Sequence, residues 1–292
     1  MKYENKPYRS ILYVPVSNKK ACQKAKKLPV DALILDLEDS VLPDKKSFAR
    51  DYLHKILTDE RSDFGDKKLI VRTNSLKTEC GMKDLAKVLE VKPDSILIPK
   101  VEGSEDLEHI ECNQVFMESK MTIWIMIETP LGVLNVQNTV ADSQFLEGIV
   151  VGTNDLVNEL GAKESLARHS VVGSLAHILL VSRAYGLICV DGVYNAYKDQ
   201  IGLRTVCEQG REMGFDGKTL IHPSQIEPIN TIFSPSSRDI EEARQIIEIF
   251  KISKLKGEGV AVLNGKIIEG LHVAAAEKLL GVAKTIEKVK VN

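Results

Sequence analysis

Two carboxylates stand where apolar runs stop. Glu128 follows Thr122-Ile-Trp-Ile-Met-Ile127 and opens Glu128-Thr129-Pro130-Leu131-Gly132. Asp155 closes Gly152-Thr153-Asn154-Asp155, after Gly148-Ile-Val-Val151. Short, continuous, β-branched runs read as buried parallel strands. Packing gives no reason for a charge at their ends. Two acids one strand–helix unit apart fall side by side at a barrel mouth, which suits a hard divalent cation. The competing reading is helix capping or ion pairing, because Thr129-Pro130 and Thr153-Asn154 also suit helix starts.

Arg72 follows Ile70-Val71 at another run end. Its planar fork fits the carboxylate of an α-keto or 2-hydroxy acid. Alternatively it is half of a structural ion pair with Glu38 or Asp39. Glu38 and Asp39 read either as groups that orient Arg72 and metal-bound water, or as a solvated acidic turn. Asp36 reads as structural, hydrogen-bonded within the barrel. Lys100 ends a fourth run. An ion pair with Glu102 or Asp36 is its ordinary reading. A Schiff-base lysine of a metal-free aldolase is the rival, and it predicts borohydride trapping and indifference to chelator.

Strands are predicted at 11–16, 32–37, 69–73, 95–99, 123–127, 148–151, 187–190 and 219–221, with helix-like stretches between them, among them 19–28 and 164–185. Eight alternating units predict an α/β fold, the closed (β/α)8 TIM barrel. No Gly-x-Gly-x-x-Gly follows the first strand, which disfavours an open doubly wound sheet. Nearly every run ends in polar residues, where barrel enzymes hold their active sites. The barrel is expected over 1–234.

A tail over 235–292 changes character. Ser237 is the expected N-cap of a helix with an apolar face at Ile240, Ala243, Ile246, Ile247 and Phe250. A basic, glycine-bearing hinge at 251–259 precedes a hairpin turning at Asn264-Gly265, then a terminal helix from about His272. The tail reads as a helical and hairpin lid over a barrel, its own or a neighbour's.

The 292 residues, 43% hydrophobic, are enough for a sizeable core. Thirty-nine basic against 41 acidic residues leave a net charge of −2, which supports neither nucleic acid nor a membrane surface as partner. The run Lys24-Ala-Lys26-Lys27 reads as a solvated helix face. Five scattered cysteines form no zinc or redox motif and fit a reducing compartment. The N-terminus lacks an apolar signal core, and no run nears a membrane span. A cytoplasmic location is expected.

Taken in order, several segments resemble the citrate lyase β-subunit and malyl-CoA lyase group of CoA-ester lyases. They are Arg9-Ser-Ile-Leu-Tyr-Val-Pro15, Asp31-Ala-Leu-Ile-Leu-Asp-Leu-Glu-Asp39, Val71-Arg-Thr-Asn74 and Ile98-Pro-Lys-Val-Glu102. Ile127-Glu-Thr129, Gly152-Thr-Asn-Asp155, Gly214-Phe-Asp-Gly-Lys-Thr-Leu-Ile-His-Pro-Ser-Gln-Ile226 and Gly265-Lys-Ile-Ile-Glu269 complete the set.

The resemblance implies a trimer or hexamer and Mg²⁺-dependent (or Mn²⁺-dependent) cleavage or formation of a C–C bond in CoA thioesters. It assigns Glu128 and Asp155 to the metal and Arg72 to the substrate carboxylate. Gly152, Thr153 and Asn154 fall against substrate and Arg9 near CoA; His222 reads as lining the CoA channel or as a structural histidine, and Lys19 and Lys20 as contacts to CoA phosphates or as ordinary surface lysines. Glu269 becomes a lid acid offered to a neighbouring subunit, and the group that protonates the enolate carbon. A glycine usually follows Tyr-Val-Pro in this group; Val16 stands here. The leading substrate is a malyl-CoA-type ester that splits into acetyl-CoA or propionyl-CoA and an oxo acid such as glyoxylate. A citryl lyase, a malyl-CoA thioesterase and a non-catalytic CoA-binding protein are the alternatives.

Overall fold

The apolar runs become strands because β-branched side chains fill both faces of a covered sheet. In the computed structural model, which describes residues 6–291, they are β1 (Ser10–Pro15), β2 (Ala32–Asp36), β3 (Lys68–Arg72) and β4 (Ser95–Ile98). They continue as β5 (Thr122–Ile127), β6 (Leu146–Val151), β7 (Ile188–Asp191) and β8 (Gly217–Leu220). All eight expected strands are present. Neighbours pair in parallel, and β1 pairs with β8 to close the ring. This is the TIM barrel. The reading of the N-terminus for a signal rests largely on residues 1–5, which lie outside the described residues.

Register positions the chemistry. Asp36 of β2 stands beside Arg72 of β3, and Ile127 of β5 beside Val151 of β6. Glu128 and Gly152, one residue further on, therefore emerge together.

Helix boundaries follow local chemistry. Asn18, Thr78, Thr129 and Asp199 each accept a backbone N–H at a helix start. The first helix stops at Ala25, so Lys26 and Lys27 lie past its end. Lys26 is not simply solvated: it pairs with Glu60 at 2.8 Å and Asp63 at 2.7 Å. The stretch expected to be helical from 164 becomes helix only over Val172–Ala184. Gly161 and Arg168 adopt positive φ (62° and 52°), which a continuous helix does not tolerate.

At the N-terminal end of the barrel, the buried carboxylate of Glu147 collects donors. Tyr8 reaches it at 2.6 Å, Ser95 and Trp124 Nε1 at 3.2 Å each, and Lys68 and Thr122 also bond it. Gly148 makes room for this layer, since a Cβ there would stand 2.8 Å from the Trp124 ring. Burial pushes the Glu147 carboxyl up, but Lys68 and the hydrogen bonds outweigh it and hold it below the usual range. A depressed carboxylate gives stability that is present above the ordinary carboxylate pKa and lost as pH falls. Glu147→Gln is expected to cost about 3 kcal/mol, because it leaves the buried Lys68 charge without its carboxylate. Urea midpoints check this, and the gap from the wild type should narrow below pH 4. An unchanged midpoint at pH 7 would show the network to be energetically neutral.

Tyr8–Thr231 forms one compact unit, and the chain from Ile232 onward belongs to a second. The second unit holds the helix Ser237–Leu255, strands β9 (Ala261–Leu263) and β10 (Lys266–Ile268), and the helix Gly270–Val291. The N-cap is Ser236, not Ser237, in a reciprocal capping box with Asp239. The helix runs five residues into the expected hinge. Asn264 and Gly265 both take positive φ (48° and 77°), as a two-residue hairpin turn requires. Phe250, Ala261 and Ile268 form this unit's core, with Ile246, Ile249, Leu263 and Val273 packed around it.

Candidate active site

The β2–β3 corner fixes an arginine. Asp36 is fully buried and accepts from Arg72 Nε and Nη2, each at 2.7 Å. It also accepts from the backbone N–H groups of Glu38 and Ser40 and from the Ser40 hydroxyl. Burial pushes the Asp36 carboxyl up, yet Arg72 and these donors hold it below its usual range.

Arg72 Nη1 stands 2.8 Å from Glu38 Oε2 and 3.8 Å from Asp39 Oδ2. The Glu38 contact is an ion pair without hydrogen-bond alignment, since Oε2 has no hydrogen-bond donor among the described residues. Burial raises the Glu38 carboxyl to about 7, opposed by Arg72 and reinforced by Asp39 and Asp36. Asp36 is therefore the hydrogen-bonded partner of Arg72, and the expected ion pairs with Glu38 and Asp39 are present beside it. It takes the Nε–Nη2 edge. N–H groups remain on Nη1 and Nη2 for a second carboxylate.

Across the mouth, Glu128 is only 3% exposed. Its Oε1 accepts from the Lys100 backbone N–H at 2.9 Å. Lys100 adopts φ 54°, a strained conformation for a non-glycine residue, of the kind that clusters at functional sites. Burial raises the Glu128 carboxyl to about 8, and Glu38 and Asp155 add to the rise. The helix-cap reading fails for Glu128, because the next residue, Thr129, caps Pro130–Asp142. Asp155 sits in the first turn of the helix Thr153–Glu159. Gly152 lies against Glu128: a Cβ there would stand 2.3 Å from Glu128 Cβ and 2.5 Å from Oε2. Its glycine is explained by that close approach.

These groups line one cavity of about 330 Å³, shared by Asp36, Asp39, Arg72, Glu128, Asp155 and Tyr13. Gly152, Thr153 and Asn154 line it too. Hard carboxylate oxygens from Glu128 and Asp155 fit a magnesium-type ion, whose charge would relieve the crowding of like charges. No group of three or more His, Cys, Asp or Glu side chains arranged for a metal occurs among the described residues. Two carboxylates leave most of an octahedral shell to water and ligand oxygens. The strongest electrostatic neighbours of Lys100 are Glu38, Asp39, Glu128 and Asp155, rather than the expected Glu102 or Asp36. Glu102 meets Lys77 instead, at 3.5 Å.

Arg9, Lys19, Lys20 and His222 are not among the residues that line this cavity. Arg9 precedes β1, at the opposite end of the barrel, and forms a buried two-point ion pair with Asp31. Lys19 sits over the rings of Phe48 and Tyr52, 5.2 and 5.4 Å from their centroids, and Lys20 is exposed. His222 caps a short 3-10 turn through Ser224 and lies 4.4 Å from the Tyr197 ring. Val16 is fully buried, so it presents no side chain at the surface. Glu269 follows β10 in the second unit and is exposed. Tyr13, Asn195 and Thr219 line the cavity unforeseen. Asn195 and Asn154 exchange side-chain hydrogen bonds of 3.0 and 3.2 Å. A signal for Asn195 was available, since it falls four residues past β7, among the polar strand ends.

The HpcH/HpaI aldolase/citrate lyase family profile matches residues 9–223. The chain belongs to this family. A (3S)-malyl-CoA thioesterase of Cereibacter sphaeroides is 46% identical to it over 286 residues, 98% of each chain. Human mitochondrial citramalyl-CoA lyase is 31% identical, over 97% of this chain and 87% of that one. Among solved structures, the citrate lyase β subunit of Mycobacterium tuberculosis complexed with oxaloacetate and magnesium superposes with TM-score 0.67. It is 25% identical over 79% of this chain and 99% of its own. The HpcH/HpaI family thus includes both a lyase and a thioesterase among these relatives. No helix among the described residues is long and apolar enough to cross a membrane.

Proposed function

We propose that this chain acts on a short 3-hydroxyacyl-CoA such as malyl-CoA, breaking or forming its C–C bond. The observation that carries this reading is one cavity holding an oriented arginine and, across from it, two carboxylates. Arg72 binds the carboxylate of the oxo-acid half, while Asp36, Glu38 and Asp39 hold its guanidinium in place. Glu128 and Asp155 hold Mg²⁺ or Mn²⁺. The ion, when bound, supplies Lewis-acid polarisation of a substrate oxygen. The relatives named above support a CoA ester and magnesium. Thr153 and Asn154 border the substrate, and Lys19, Lys20 and His222 remain the candidates for CoA. Arg9, engaged with Asp31 at the far end, is left out.

In cleavage, a base takes the β-hydroxyl proton and the C–O bond becomes C=O. The C–C electron pair passes to the thioester enolate, and an acid returns a proton to carbon. Glu269 of a neighbouring subunit in a trimer or hexamer is our candidate for that acid. The barrel and the tail act as catalytic domain and lid in this reading.

A second reading has the 46% identical thioesterase in its favour. Water adds to the thioester carbonyl, the C–S bond breaks, and CoA leaves as the thiol. Incubation with a panel of 3-hydroxyacyl-CoA esters and Mg²⁺, followed by mass spectrometry, separates the two. A shorter acyl-CoA plus an oxo acid is expected for the lyase, and free hydroxy acid plus CoA for the thioesterase. Neither product from any ester, in either direction, would leave a binding protein and end the proposal.

A further inference from the structure

Tyr13 has an unexplained hydroxyl. It lies on β1, in the same cavity as Arg72 and Glu128. Its ring supports the Arg72 guanidinium, 4.8 Å from the ring centroid. The hydroxyl oxygen is buried and has no hydrogen-bond partner among the described residues. A buried, unpaired hydroxyl costs free energy, and such groups in a native protein call for an explanation. Burial pushes the phenol well above its ordinary range, with Asp36, Glu128 and Glu38 adding to the rise against Arg72. It is therefore a neutral donor at any working pH.

We propose that the Tyr13 hydroxyl donates a hydrogen bond to the substrate carboxylate that Arg72 binds. This rests on the proposed function, since it needs an oxo acid in the cavity. The placement argues for it. A ring that supports Arg72 carries its hydroxyl among the same charged groups, and every nearby carboxylate of the protein leaves it unpaired. A ligand carboxylate supplies the missing acceptor, and an O–H donor to an anion is a strong one. No group among the described residues satisfies the donor, and the ligand would do so. Such a contact forms equally in the bound substrate and the transition state, so it acts on binding more than on turnover.

Tyr13→Phe keeps the ring and removes only the hydroxyl. Glyoxylate binding to the Mg²⁺-loaded protein, by calorimetry, is expected to weaken roughly 10- to 100-fold. KM for the oxo acid should rise by a similar factor with kcat little changed. The Tm of the ligand-free variant should stay level or rise, because an unpaired buried group is gone. If a hidden water bonds the hydroxyl instead, the variant melts lower and binds glyoxylate normally, and the proposal fails. Tyr13→Leu separates the ring's support of Arg72. If only the leucine variant loses affinity, the hydroxyl has no part and the proposal fails. If the wild type binds none of glyoxylate, pyruvate and oxaloacetate, the proposed function falls first and takes this inference with it.

Discussion

Glu128→Gln is expected to leave a folded barrel that no longer responds to magnesium. We expect kcat/KM on the best ester to fall about a thousandfold, since Lewis-acid stabilisation is worth several kcal/mol. Mg²⁺ should also stop raising the Tm, because a ligand stabilises only what binds it. The fold should survive for a stated reason. Glu128 is buried, and its carboxyl is raised to about 8. A group with a folded pKa above its unfolded value binds more protons in the folded state. Metal-free stability should therefore fall as pH rises from about 4.3 toward 8, and the glutamine variant should lose Glu128's share of that slope and keep the share of Glu38.

The same shift predicts the pH dependence of the metal. A cation needs the carboxylate ionised, so binding displaces the proton. Apparent Mg²⁺ affinity should be about a hundredfold weaker at pH 6 than at pH 9, with protons released on titration at the lower pH. A Glu128→Gln protein that keeps its turnover and its magnesium-induced rise in Tm would place the ion elsewhere.

The barrel was legible because its signal is local. Each strand is a short apolar run with a polar stop, and each boundary moved by at most two residues. Glu128 and Asp155 were legible for the same reason, as charges without a packing purpose. The partnership of Asp36 with Arg72 was less so. It depends on β2–β3 register, which pairs those two positions and leaves Glu38 two residues past the end of β2. Sequence spacing gives the strands but not their stagger. Arg9 shows the opposite case. A motif carried it toward CoA, whereas its position before β1 places it at the far end of the barrel, against Asp31. Tyr13 lay inside that same motif and was passed over, because a tyrosine in an apolar run reads as core. That its hydroxyl meets no partner among the described residues depends on tertiary packing, which spacing along the chain does not give.

The second large effect concerns Arg72 and Glu269 together. Arg72→Lys alone should lower kcat/KM about a hundredfold, because a point charge cannot hold both Asp36 and a ligand carboxylate in fixed geometry. Arg72→Ala should do worse. Glu269→Ala should leave substrate binding near normal and suppress proton transfer at carbon. Glu269 is exposed, and no side chain among the described residues pairs with its carboxylate. An acid placed at the end of a hairpin, far along the chain from the other groups, makes sense if a lid delivers it. Closing such a lid also excludes water from an enolate. If a neighbour receives it, the two alanine variants complement each other. Co-assembled at random from equal amounts, roughly a quarter of sites combine one subunit's Arg72 with another's Glu269, through a head-to-tail interface. Activity in the C–C bond reaction should recover to that order. Mixed oligomers as inactive as either parent would mean that Glu269 serves its own barrel or none. Deuterium exchange on acetyl-CoA alone should need Glu269 but not Arg72, so it should persist in the Arg72→Ala parent and fail in the Glu269→Ala parent.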